Sequence, residues 1–170
     1  MHTGSAFMIG LQLIDLKNML EESLSRTLES VKGISEEDAH AAPAQGEWSV
    51  CELLAHISEI QEFWSEKAIV ITSSDDPNIT RTQVENDIRS AAVHDHSGDS
   101  IQHLLEMVRD ANQNAIEKLL RISFSDLDRP GHRGEDNPIT TRGVFEYLSG
   151  HIAEHARQIL ETRKVIESDS

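Results

Sequence analysis

Apolar residues recur at steps of three and four in four separate stretches of the chain. That spacing constrains the fold more than any other feature, because it lays one apolar stripe along each of four helices. The first stretch, residues 8–32, carries Ile9, Leu13, Leu16, Leu20, Leu24, Leu28 and Val31 with acids between them, and stops at Gly33, where a missing Cβ suits a left-handed C′ residue on which Ile34 folds back. The second opens on the clearest boundary in the sequence: Ser49 and Glu52 stand at capping-box spacing, and Trp48 precedes Leu53 as a hydrophobic staple. It runs to about Thr72 along Val50, Leu53, Leu54, Ile57, Ile60, Trp64 and Ile71. The third is expected from Asp99, with Gln102 as capping partner, through Leu104, Leu105, Val108, Ala115 and Leu119 to Ile122. Thr140 or Thr141 caps the fourth, which follows Val144, Phe145, Leu148, Ile152, Ile159 and Ile166.

Aromatic residues are only 4% of the chain, and Leu, Ile and Ala dominate its apolar set, a balance that favours helices over strands. The 170 residues suffice for one domain with a real core and are few for two. The expectation is therefore all-α: a single four-helix-bundle domain over residues 1–170, with residues 1–7 disordered. Three polar connections separate the helices. Residues 35–47 hold one short helical turn around Glu36 to His40; 73–98 hold a weak helix from about Thr80 to Ala92; and 123–138 are rich in turns. A connection as long as 73–98 either crosses between distant elements or covers a site.

Acids outnumber bases 30 to 15, giving a net charge of −15, so the surface repels phosphate backbones and neither nucleic acid nor an anionic membrane is an expected partner. No apolar run approaches the roughly 20 residues of a membrane span, and no basic region precedes one. The single cysteine, Cys51, fits a reducing compartment, and a cytoplasmic location is expected.

The chemistry concentrates in histidine. His151 and His155 are one turn apart on the fourth helix, the spacing at which two imidazoles share one metal ion. They lie at the border of the apolar stripe, and His56 holds the corresponding border on the second helix. Packing the two stripes together would bring the three rings to one point, the donor set of an open divalent-metal site. The plain alternative is chance spacing in a chain with nine histidines. His151-x-x-Glu154-His155 also fits the inverted zinc-peptidase motif, but that motif takes its remaining ligand well downstream, and only fifteen residues follow His155. Glu59 and Glu154 stand about 60° round their helices from the histidines and are the candidate general bases, against a simpler reading as solvated acids. Gln158 and Tyr147 are nearer the strip and could line a pocket, against ordinary packing as the simpler reading of each. Among the remaining histidines, His94, His96 and His103 are close enough in sequence to raise a second metal site, His132 could overhang the pocket mouth, and His40 and His2 have no informative context. Cys51, about 140° round the helix from His56, reads as a small buried residue.

Trp48-Ser49-Val50-Cys51-Glu52-Leu53-Leu54-Ala55-His56-Ile57, followed much later by Gly150-His151-Ile152-Ala153-Glu154-His155-Ala156-Arg157-Gln158-Ile159, resembles the DinB-like/YfiT-like superfamily of metalloenzymes. The likeness takes in nearly the whole chain, including Asp126-Leu127-Asp128-Arg129 before the last helix. It implies an up-down-down-up four-helix bundle, often a homodimer, with zinc or nickel held by three histidines at positions matching His56, His151 and His155. It also implies a small-molecule substrate and activation of water or of a low-molecular-weight thiol, as in hydrolases or thiol transferases of the family. The alternatives are a non-catalytic module whose site binds a ligand or only ties two helices together, and a plain interaction domain without metal.

Overall fold

The computed structural model describes residues 3–169, with side chains from 12 to 168. Four long helices build it: α1 (Thr3–Ser30), α3 (Val50–Ser73), α5 (Ile101–Arg121) and α6 (Thr141–Asp169). Two shorter ones, α2 (Glu36–His40) and α4 (Gln83–His96), sit in the connections. The α1 backbone begins at Thr3, inside the stretch read from sequence as disordered; Met1 and His2, and the side chain of Ile9, lie outside the described residues.

The apolar stripes meet as their spacing predicts. Leu16 and Leu20 of α1, Leu53, Leu54, Ile57 and Ile60 of α3, Leu104, Val108 and Leu119 of α5, and Phe145, Leu148, Ile152 and Ile159 of α6 form one buried cluster. Cross-helix hydrogen bonds fix the directions. Ser149 donates to the Met19 carbonyl and Arg163 to the Ser30 carbonyl, so α1 and α6 run side by side in the same direction. Ser58 donates to the Met107 carbonyl and Lys118 meets Glu66, so α3 and α5 are likewise parallel. His56 against His155 and Trp64 against Tyr147 set α3 antiparallel to α6. The bundle is up-down-down-up.

Local sequence explains the ends. Ser49 accepts from the Glu52 amide at 3.2 Å while the Glu52 carboxylate accepts from the Ser49 amide at 2.8 Å, completing the capping box. Gly33, at φ +75°, turns the chain after α1. The cap of α5 is Ser100, whose hydroxyl accepts from the His103 amide, and not Asp99 with Gln102; Asp99 instead turns its carboxylate to His96. A second capping box, Thr82 with Glu85, starts α4 two to three residues later than expected, and Lys67 ties Glu85 to α3 at 2.6 Å.

The connection 123–138 holds more order than its turn-rich sequence suggests. After a 3₁₀ turn at Phe124–Asp126, strands β1 (Pro130–His132) and β2 (Pro138–Thr140) pair antiparallel. Chain from the other long connection joins them: the Ile79 amide donates to the His132 carbonyl at 2.7 Å, and the His132 amide to the Pro77 carbonyl at 2.8 Å. Gly131 fits the close approach there, because a Cβ would lie 3.0 Å from the Ile71 side chain and 3.1 Å from the Pro77 carbonyl.

A candidate metal centre between two antiparallel helices

Antiparallel packing of α3 on α6 brings His56, His151 and His155 together. The ring centroids lie 4.7 Å apart for His56 and His155, 4.6 Å for His151 and His155, and 6.1 Å for His56 and His151. Each ring offers one nitrogen, and the three nitrogens fall within 4.8 Å of one another. His56 and His155 are buried and His151 is half-buried, so the group has one partly open side.

Burial decides protonation. Desolvation, followed by the neighbouring rings of His155 and His151, holds the His56 imidazole down to about 3. Desolvation also lowers His151 to about 4, helped by His155, Arg133 and Arg81, and lowers His155 against the opposing pull of Gln158 and Glu154. All three are neutral at pH 7 and carry free lone pairs.

The hydrogen bonds orient those lone pairs. His155 Nδ1 donates to Gln158 Oε1 at 3.1 Å, which leaves its Nε2 as the unprotonated nitrogen, buried and without a hydrogen-bond partner. His56 Nδ1 is also buried without one, 3.8 Å from a Glu59 carboxylate oxygen. A buried polar atom left unpaired costs about 1–3 kcal/mol. His56 Nδ1 faces the Glu59 carboxylate, whereas His155 Nε2, unpaired in a cluster of neutral imidazoles, fits the donor set of a divalent cation, which supplies the missing partner.

The two candidate acids separate. Glu59 is largely buried and ion-paired to Arg81 at 2.8 Å, so it faces the cluster from behind His56. Glu154 is exposed and engages Arg157, whose hydrogen bond lowers its pKa; its helix face turns it outward. Tyr147 stacks on His151 at 5.4 Å and packs edge-on to Trp64 at 5.1 Å.

Other neighbours lie outside any spacing rule. Trp48, expected to staple Leu53, stands edge-on to His56 at 4.9 Å. Arg133 from the hairpin lies over the Tyr147 ring at 4.0 Å, and Arg81 over Phe63 at 3.6 Å. His132 binds Asp76 at 2.9 Å in the hairpin, and His40 reaches the Asp99 carbonyl at 3.1 Å. Of His94, His96 and His103, the last two flank Asp99 on the surface, at 2.8 and 3.6 Å, while His94 is exposed apart from them. Cys51 is buried, and desolvation pushes its thiol up to about 12.

Three comparisons place this architecture among known proteins. The chain is 26% identical to the uncharacterized protein YuaE of Bacillus subtilis (strain 168) over 162 residues, covering 88% of this chain and 98% of the relative. In fold it is similar to YfiT from Bacillus subtilis, described as a probable metal-dependent hydrolase with an unusual four-helix bundle topology. That likeness has a TM-score of 0.73 at 14% identity and covers 89% of this chain and 86% of YfiT. A conserved protein from Enterococcus faecalis superposes with a TM-score of 0.66, again at 14% identity, over 90% of this chain and 95% of the other. The DinB superfamily profile matches residues 19–159, a span that begins inside α1, contains α3 and α5 whole, and carries all three histidines. The chain therefore belongs to the DinB superfamily.

Proposed function

We propose that His56, His151 and His155 hold a divalent metal ion, zinc or nickel, at the centre of an enzyme that activates water or a low-molecular-weight thiol against a small electrophilic substrate. The observation that carries this reading is His155: Gln158 fixes its proton on Nδ1, and the freed Nε2 is buried beside two other neutral imidazoles with nothing to bond. The description of YfiT as a probable metal-dependent hydrolase supports the choice of reaction class.

A divalent ion in such a site supplies Lewis acidity, which lowers the pKa of a nucleophile brought to it. The chain does the rest. Gln158 sets the tautomer of His155, and the Glu59 carboxylate stands by His56 Nδ1, where an N–H would orient the ring. Arg81 holds Glu59 in place. Half-buried His151 and Tyr147 form the side from which substrate approaches. Among the described residues no helix is long and apolar enough to cross a membrane, and we place the activity in the cytoplasm, where a lone buried Cys51 remains a thiol.

Elemental analysis of natively purified protein tests the site. About one equivalent of zinc or nickel is expected, with loss in His155→Ala while the helical circular dichroism persists. Less than about a tenth of an equivalent, with no uptake of added Zn²⁺ or Ni²⁺, would overturn it. Turnover of an ester and thiol-conjugate panel then separates an enzyme from a metal that only ties α3 to α6: activity lost in His151→Ala supports catalysis, whereas unfolding on chelation with no turnover supports the structural role.

A further inference from the structure

The charges around the histidine cluster do not match those of the molecule. The chain carries a net charge of −15, yet the residues whose fields reach the cluster are mostly arginines: Arg81 and Arg89 at His56, and Arg133 and Arg81 at His151. Glu59 neutralises Arg81 at 2.8 Å, and Glu154, the other acid close by, is turned outward to Arg157. Arg133 has no carboxylate within ion-pair distance among the described residues. It projects from the turn after β1, where its amide donates to the Asn137 carbonyl at 2.8 Å. Its guanidinium lies over Tyr147 at 4.0 Å and reaches Trp64 at 5.5 Å. Tyr147 in turn stacks on His151, so the guanidinium, the phenol and the imidazole form one continuous wall.

Leaving a guanidinium unpaired in a chain this acidic has a consequence. A guanidinium lying over an aromatic ring keeps its N–H edge free, and a planar fork of donors matches the two oxygens of a carboxylate or of a phosphoryl group. The opposite flank offers no such match: the cavity of about 450 Å³ beyond Trp48 and Gln158 is lined by Glu47 and Glu161. From this arrangement we propose that the substrate is a small-molecule oxyanion, a carboxylate or a phosphoryl compound, whose anionic group is held by the edge of Arg133 while half-buried Tyr147 flanks its body and its reacting end points toward His151. This inference rests on the function proposed above for its reacting end. The Arg133 contact itself is independent of metal.

The test uses the full chain, both as purified and after treatment with EDTA, titrated calorimetrically with benzoate, its neutral isostere benzamide, and phenylphosphonate. In both preparations an oxyanion is expected to bind about tenfold more tightly than benzamide, as a charge-assisted fork should. The preference is expected to vanish in Arg133→Gln and to be reduced in Arg133→Lys, which keeps the charge but not the fork. Whether benzoate or phenylphosphonate binds more tightly says which oxyanion the site is built for. In the unmutated protein the Arg133 Nε–H resonance should move on adding the preferred anion and stay put with benzamide, a readout that needs no variant to fold. Equal binding of the anions and benzamide, no binding by any of them, or a preference that survives Arg133→Gln overturns the proposal. Metal uptake is scored separately. No Zn²⁺ uptake with the preference intact removes the metal reading alone, and full uptake with no preference removes the oxyanion alone.

Discussion

Acidifying the metal-free protein from pH 7 to pH 5 should cost far more stability than its surface histidines can explain. His56 titrates near 6.5 in an unfolded chain but is held to about 3 in the fold. The unfolded state therefore binds the extra proton first, and stability falls as pH drops below 6.5 and goes on falling until the folded pKa is reached. Between pH 7 and pH 5 that difference amounts to about 2 kcal/mol for one imidazole that stays neutral throughout. His151, held to about 4, adds a contribution of the same sign, discounted to about 1 kcal/mol because solvent reaches its half-buried ring. The expected loss is thus about 3 kcal/mol, with His155 contributing further in the same direction. Urea unfolding in EDTA at pH 7, 6 and 5 measures it, and the midpoint should fall by about 1–2 M. In His56→Gln, which cannot titrate, the pH-dependent part should shrink by about 2 kcal/mol whatever the change in absolute stability at pH 7. Wild type and His56→Gln losing the same stability between pH 7 and pH 5 would refute the claim that burial holds His56 neutral.

Gln158→Leu removes the acceptor that fixes the His155 tautomer, and its Zn²⁺ affinity, measured by chelator competition, should fall about tenfold or more with the helical signal unchanged. Ser49→Ala deletes the α3 capping box and should lower stability by about 1 kcal/mol, read as a drop in Tm without loss of metal uptake. Gly131→Ala forces a methyl against Ile71 and the Pro77 carbonyl; it should cost about 1–3 kcal/mol and raise amide exchange at Ile79 and His132, whose bonds hold the two long connections together.

The long helices were legible because their packing is written as a period: Leu53, Ile57, Ile60 and Trp64, or Phe145, Ile152 and Ile159, bury one face wherever they occur. The histidines were legible for the same reason, since each sits at the edge of such a face and edges meet when faces pack. Glu154 and Glu59 mark where angle alone stops being informative. Both stand about 60° from a histidine, and their partners, Arg157 one turn along the same helix for Glu154 and Arg81 from the 73–98 connection for Glu59, separate an outward acid from an inward one. Three-residue strands containing Pro130 and Pro138 carry no readable alternation, so the hairpin was invisible, and with it the place of Arg133. Asp99 and Ser100 are both good caps by residue type; in the fold Asp99 is engaged by His96, three residues before it, and Ser100 caps the helix.

The parallel run of α1 beside α6 also governs how the molecule answers force. Because both helices point the same way, the N-terminal end of α1 and the C-terminal end of α6 emerge at opposite poles of the bundle, about 50 Å apart at 1.5 Å per residue. Tethers attached at those poles would load the α1–α6 seam in shear, so that Ser149 on Met19 and Arg163 on Ser30 must yield together and not one after another. A bundle of the same helices in simple up-and-down order would have both tethers at one pole and would peel open.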